Sequence, residues 1–219
     1  MNLFARARFE STLERLGVRP TRDVFPALET AYSEPDRHYH GTRHISECLA
    51  QFQNHLHLAV QPSEIEIALW FHDAIYDTRR SDNELRSADW AADFLRGERV
   101  VDDRVERVHA MIMATRHAAP VGDPDQRLLV DVDLGILGQP PPVFDAYDAA
   151  IRREYHWVPW PQYATARISV LTGFLDRPRI YSTAAFFDRY EAQARENIAN
   201  AIEKLKRDPT ATDRGNAHV

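Results

Sequence analysis

The chain has almost nothing to cross-link it. Of its 219 residues only Cys48 is a cysteine, which excludes a disulfide within the chain and a zinc site built from several thiolates. No apolar run approaches the ~20 residues that a bilayer-spanning helix needs. A basic excess is lacking too, since 27 Lys and Arg stand against 33 Asp and Glu, for a formal charge of −6 and a pI near 5.9. A scaffold for long nucleic acid usually carries the opposite field, so that partner is not expected. The opening stretch MNLFARARFESTLERLG is a mixed-charge amphipathic pattern without the apolar region of a secretory signal. A soluble, cytoplasmic protein with no membrane partner is the expectation.

Strict apolar/polar alternation, the mark of half-buried strands, is almost missing as well. The 44% of hydrophobic residues, enough for a real core, recur instead at helical spacing. Residues 3–16 predict one helix and 21–33 a second, opened by Thr21. Pro35 and Gly41 in SEPDRHYHGT (33–42) predict an ordered loop. A stripe of Ile45, Leu49, Phe52 and Leu56 predicts a helix over 42–57. Pro62 and Ser63 announce the next, with Ile65, Leu69 and His72 on its inward side. Ser81 and Glu84 form a capping-box pattern for a helix to about residue 96, and Val101, Val105, Val108 and Ile112 mark another. Asp123-Pro124 is a start signal for a helix whose inward stripe reads Leu129, Val132, Asp133, Ile136. Pro140, Pro141 and Pro142 break the chain before a helix bearing Phe144, Tyr147 and Ile151. After WVPWP (157–161) the pattern continues through Ala164, Ile168, Leu171 and Leu175. A last helix over 183–206 carries Phe187, Tyr190, Ala194 and Ile198. The sum is an all-α fold of about nine helices forming a single domain over 1–207. The tail 208–219 has little to bury and is expected to be disordered.

Chemistry concentrates at few places. Of ten histidines, His38, His40 and His44 fall within seven residues, and His40 and His44 are one helical turn apart. His44 borders the stripe that begins at Ile45. His72 lies on an inward stripe with Asp73 beside it, and Asp133 is a carboxylate where an apolar residue is expected. An ionised carboxylate in a core needs a partner, and two imidazoles with two carboxylates make a mixed N/O set suited to a divalent cation. Neighbouring His72 and Asp73 differ by ~100° around an ideal helix. They reach one ion together only at a helix end, which Ala74–Asp77 would supply. Periodicity leaves a second reading open, in which the histidines are hydrogen-bonded core residues and the aspartates are caps or arginine partners.

On these residues the chain resembles the HD-domain superfamily of metal-dependent phosphohydrolases, whose pattern is a histidine, a later His-Asp pair and a distant aspartate on an all-α core. The resemblance is nearest to a bacterial branch described as predicted metal-dependent HD phosphohydrolases. It is carried by YSEPDRHYHGTRHI (32–45), ALWFHDAIYD (68–77), SDNELRSA (81–88), ATRH (114–117) and DVDLGILG (131–138). It implies a compact HD-like helical bundle in which His44, His72, Asp73 and Asp133 hold one divalent ion (Mn, Fe, Co, Ni, Zn or Mg). Many two-metal members carry further histidines before the last aspartate. Here His109 and His117 are the only candidates, so one ion is expected.

The implied activity is hydrolysis of a phosphoester of a small molecule, a nucleotide by analogy, by a metal-activated water. Asp77 is the implied catalytic carboxylate, placed one helical turn after Asp73; the competing role is a cap or a solvent-facing charge. Arg37, His40 and His117 are the implied substrate contacts, Arg37 for its bidentate fork. Glu84 fits a cap, and Cys48 a small buried residue. The competing readings are a metal- or nucleotide-binding regulatory domain without turnover, and a purely structural helical adaptor.

Overall fold

The computed structural model describes residues 3–118 and 121–207, and every regular element among them is helical. The α-helices are α1 (Arg6–Leu16), α2 (Phe25–Tyr32), α3 (Thr42–Asn54), α4 (Pro62–Phe71), α5 (Asn83–Gly97), α6 (Asp102–Ala114), α7 (Pro124–Asp133), α8 (Pro141–Glu154), α9 (Trp160–Leu175) and α10 (Ala184–Lys206). Two 3-10 turns, Leu56–Leu58 and Leu134–Ile136, complete the set. The tail expected to lack fixed structure, 208–219, lies outside the described residues. The helices fall into two compact units, one ending at Gly135 and one beginning at Ile136.

The first unit is built around α4. Every residue from Glu64 to Phe71 is buried, so the helix is surrounded on all sides. It packs against α1, α3, α5, α6 and α7. Trp70 stands at the centre of an aromatic cluster with Phe4, Phe9 and Phe25, at ring separations of 5.2–6.2 Å. Two glutamates are buried on the same helix, and each is neutralised by two arginines from one neighbouring helix. Glu64 accepts from Arg104 and Arg107 of α6, and Glu66 from Arg8 and Arg15 of α1. These ion triads hold α6 and α1 to α4 without leaving a bare charge in the core. The same rigid helix delivers His72 at its C-terminal end.

Local chemistry explains where several elements differ from expectation. α2 starts at Phe25, not Thr21, because the Thr21 amide and hydroxyl are taken by the Glu98 carboxylate at 2.7 and 3.1 Å. The Ser81–Glu84 capping box does not form. Asp82 stands at the N-cap, without a side-chain bond to the helix, and Asn83 is the first helical residue. The helix expected over 42–57 stops at Asn54, and Leu56 is exposed. Asp123 does cap α7, accepting from the amides of Asp125 and Gln126.

In the second unit α10 packs against α8 and α9. Pro141 and Pro142 open α8 rather than preceding it, since a missing amide costs nothing in the first turn. On α10 the fully buried ring is Phe186, not Phe187, whose ring lies under the Arg179 guanidinium. Buried Asn197 donates to the Leu137 and Gln139 carbonyls and fastens the chain before α8 to α10. Gly138 passes so close to Tyr190 that a Cβ would lie 2.8 Å from its carbonyl oxygen.

Candidate metal centre

α4 ends at Phe71, and His72 is its C-cap, so the chain turns just where the His-Asp pair stands. That turn lets neighbouring side chains converge, as the sequence required. The His72 ring interacts through Nδ1 with the Leu69 carbonyl at 2.9 Å, which aims Nε2 away from its own helix. His44, in the first turn of α3, points its Nε2 at the same place, 3.1 Å from His72 Nε2. Asp73 Oδ2 lies 3.3 Å from His44 Nε2 and 3.1 Å from His72 Nε2. Asp133, the last residue of α7, brings Oδ1 to 3.2 and 3.5 Å from the same two nitrogens. The imidazoles form a buried floor, and the two carboxylates, 16% and 15% exposed, form its open side.

These spacings fit a shared cation. Ligand bonds of ~2.0–2.2 Å place neighbouring donor atoms ~2.8–3.6 Å apart around one ion, octahedral sites at the low end and tetrahedral ones at the high end. The His–His pair and every His–Asp pair among these four donors, from three segments of the chain, meet that condition. The buried group His44, Cys48, His72 and Asp133 also has its donor atoms within 4.8 Å of one another, so this region can hold a metal. Cys48 is less well aimed than Asp73. Its Sγ is 3.7 Å from both ring nitrogens of His44, so it stands no nearer Nε2, where the other donors converge, than Nδ1.

Electrostatics point the same way. Burial pushes the His44 and His72 imidazoles down, but the opposing pull wins and both are held well above 6.5. For His44 that pull comes from Cys48, Tyr39 and hydrogen bonds to the two aspartates; for His72 it comes from Asp73 and Asp133. Burial pushes Asp73 and Asp133 up, yet both are held well below 3.8. His72 and His40 act on Asp73, while hydrogen bonds from His117, His44 and His72 act on Asp133. Without an ion, the two carboxylates favour protonated imidazoles at the place where a metal would supply positive charge.

Of the expected substrate contacts, two line this centre. His117 Nε2 lies 3.2 Å from Asp133 Oδ2, the oxygen turned away from the two imidazoles. Its backbone is left-handed, φ 54°, a costly conformation for a non-glycine residue and one found disproportionately at functional sites. The half-buried His40 stacks on Tyr76 at 4.1 Å, with its centroid 5.9 Å from that of His44.

Two expected residues are used differently. Arg37 is 3% exposed, and its guanidinium is committed to Glu34 and to the carbonyls of His40, Asp73 and Ala74. It is therefore not a free fork for a phosphate. Asp77 is not one helical turn beyond Asp73, because the helix has already ended. It is exposed, and its Oδ1 accepts from the Arg79 amide at 2.9 Å. His109 pairs with Asp89 at 3.1 Å, outside the cluster.

Sequence reasoning treated Cys48 as packing, although its i+4 spacing from His44 was a signal that both share a face. It also missed why SDNELRSA matters. Asn83 bonds both the amide and the carbonyl of Asp77, at 3.1 and 2.9 Å, and Ser87 does the same for Ile75 at 3.0 and 3.3 Å. One face of α5 thus fixes the strand of chain that leaves the His-Asp pair. Comparison with protein-family models, curated proteins and solved structures returns no match to this chain. Among the described residues, no helix is long and apolar enough to cross a membrane.

Proposed function

We propose that the chain is a metal-dependent phosphohydrolase of the HD type, acting on a small phosphorylated molecule such as a nucleotide. The observation that carries this reading is the convergence of His44 Nε2, His72 Nε2, Asp73 Oδ2 and Asp133 Oδ1 at separations of 3.1–3.5 Å. A divalent ion held there supplies a water of lowered pKa and polarises a phosphoryl oxygen. The chain's own residues then divide the work. His44 and His72 present nitrogen lone pairs from a dry floor, with His72 oriented through the Leu69 carbonyl. Asp73 and Asp133 balance the charge on the side open to solvent. His117, braced on Asp133, and His40, stacked on Tyr76, stand at the rim as the groups able to meet a phosphate or exchange a proton with it. One ion is the expected stoichiometry, from Mn, Fe, Co, Ni, Zn or Mg.

A second reading, a metal-holding regulatory domain without turnover, is favoured by one observation: the Asp77 carboxylate is exposed and engaged by the Arg79 amide. The deciding experiment is elemental analysis of purified protein followed by a phosphate-release screen over nucleotides with Mn²⁺, Co²⁺ or Ni²⁺. Bound metal with turnover supports the hydrolase. Bound metal with ligand binding but no turnover under any metal supports the regulatory domain. No bound metal and no turnover removes both.

A further inference from the structure

We infer that Arg37 is the positioning residue of this centre, joining the turn that carries His72 and Asp73 to the loop that leads into His44. The inference rests on the metal reading above. A buried guanidinium needs partners for its charge and its donors. Among the described residues its ionic partner is Glu34, Nε to Oε2 at 2.9 Å, on the solvent side. The other donors run inward: Nη1 to the carbonyls of Asp73 at 2.5 Å and His40 at 3.2 Å, and Nη2 to the carbonyl of Ala74 at 3.0 Å.

The Asp73 and Ala74 carbonyls lie past the end of α4, where no helical amide is there to meet them. Arg37 meets them instead, and the same guanidinium takes the carbonyl of His40, four residues before His44. Two ring contacts reinforce the clamp, with the guanidinium carbon 5.3 Å from the Tyr32 ring centre and 5.7 Å from that of Tyr76. Tyr32 in turn donates to the Trp70 carbonyl at 3.0 Å, and Tyr76 stacks on His40. At Gly41 a Cβ would stand 3.1 Å from the Tyr32 carbonyl, so the loop lies tight against the end of α2. Because ligand atoms must be held to within ~0.5 Å, the contact between loop and turn sets how well Asp73 meets His44. A planar fork reaches successive carbonyls together; an ammonium in its place serves them less well.

The test measures Co²⁺ affinity of the wild-type protein and of Arg37→Ala, Arg37→Lys and Arg15→Ala by titration of the cobalt d–d absorption, at a temperature where circular dichroism shows each folded. Arg15→Ala removes a partner of buried Glu66 in the same unit, a contact that includes none of the centre's ligands, and controls for general loss of stability. The expected result is a roughly 10- to 100-fold weaker Kd for both Arg37 variants, the usual cost of losing a group that orients a ligand, with Arg15→Ala close to wild type. Should Arg37→Ala fail to fold, Arg37→Lys, which keeps the charge and most of the volume, decides the matter. Wild-type affinity in folded Arg37→Lys, or an equal loss in Arg15→Ala, overturns the inference and leaves the metal reading standing. A wild-type protein that takes up no Co²⁺ overturns the metal reading itself, and this inference with it.

Discussion

His44 and His72, from different helices, hold their Nε2 atoms 3.1 Å apart. Two unit charges at that distance repel by about 5 kcal/mol at an effective dielectric of ~20. The pair is stabilised by Asp73 and Asp133 beside it, by a neutral ring accepting from the other, or by a common cation on both nitrogens. Removing one imidazole tests that directly. His72→Ala is expected to lower metal affinity by more than about 100-fold, beyond the cost of losing an orienting partner. Elemental analysis after dialysis against a chelator-free buffer reads this, and metal content equal to wild type would refute the shared site.

The pH dependence has opposite signs with and without metal. In the metal-free chain, His44 and His72 are held above 6.5, so their contribution to stability is complete below that value and is lost as pH rises through the folded pKa. Asp73 and Asp133 are held below 3.8, so their contribution is present above that value and is lost as pH falls through the folded pKa. Metal-free protein should show its highest Tm between about pH 4 and 6.5. Metal binding needs the nitrogen lone pairs, so its affinity, and the Tm gain from added Co²⁺, should grow as pH rises. Thermal melts in chelator and in Co²⁺ from about pH 3 to about pH 9, past both edges of that window, check both slopes.

Glu66→Ala should cost about 3 kcal/mol, the low end for stripping a partner from a buried ion pair, because Arg8 and Arg15 then regain some solvent. Metal affinity should stay near wild type, since Glu66 is not among the groups that meet the centre. Denaturant unfolding paired with a metal titration separates the two effects.

Asp77→Ala should keep its metal and lose less than about tenfold in any phosphate release, as its carboxylate is engaged by the Arg79 amide. General acid–base partners typically contribute about 10²–10⁴-fold. A loss of that size, with metal retained, would return Asp77 to the reaction.

Cys48→Ala should leave the Co²⁺ complex without a spectral change, because Sγ stands no nearer His44 Nε2, where the other donors converge, than Nδ1. A sulfur-to-cobalt charge-transfer band in the wild-type protein that the variant lacks would make Cys48 a ligand.

Much of this protein was legible in its residue order. Helical spacing in the apolar positions determines an all-α chain, since each helix shows its buried face locally. The same logic marks His44, His72 and Asp133 as polar groups bordering or interrupting apolar stripes, and the break after Phe71 lets Asp73 join them. What the linear order does not carry is the choice among partners. Arg37 and Asp77 have residue types suited to a phosphate site, but the tertiary fold spends one on carbonyls beyond a helix end and the other on a loop amide. Thr21 and Ser81 look like caps, yet Glu98 takes the first, and the second is displaced by a helix that starts at Asn83. A hydrogen-bonding group takes whichever partner the folded chain brings within about 3 Å. Only the packing of α3, α4, α5 and α7 settled which those were.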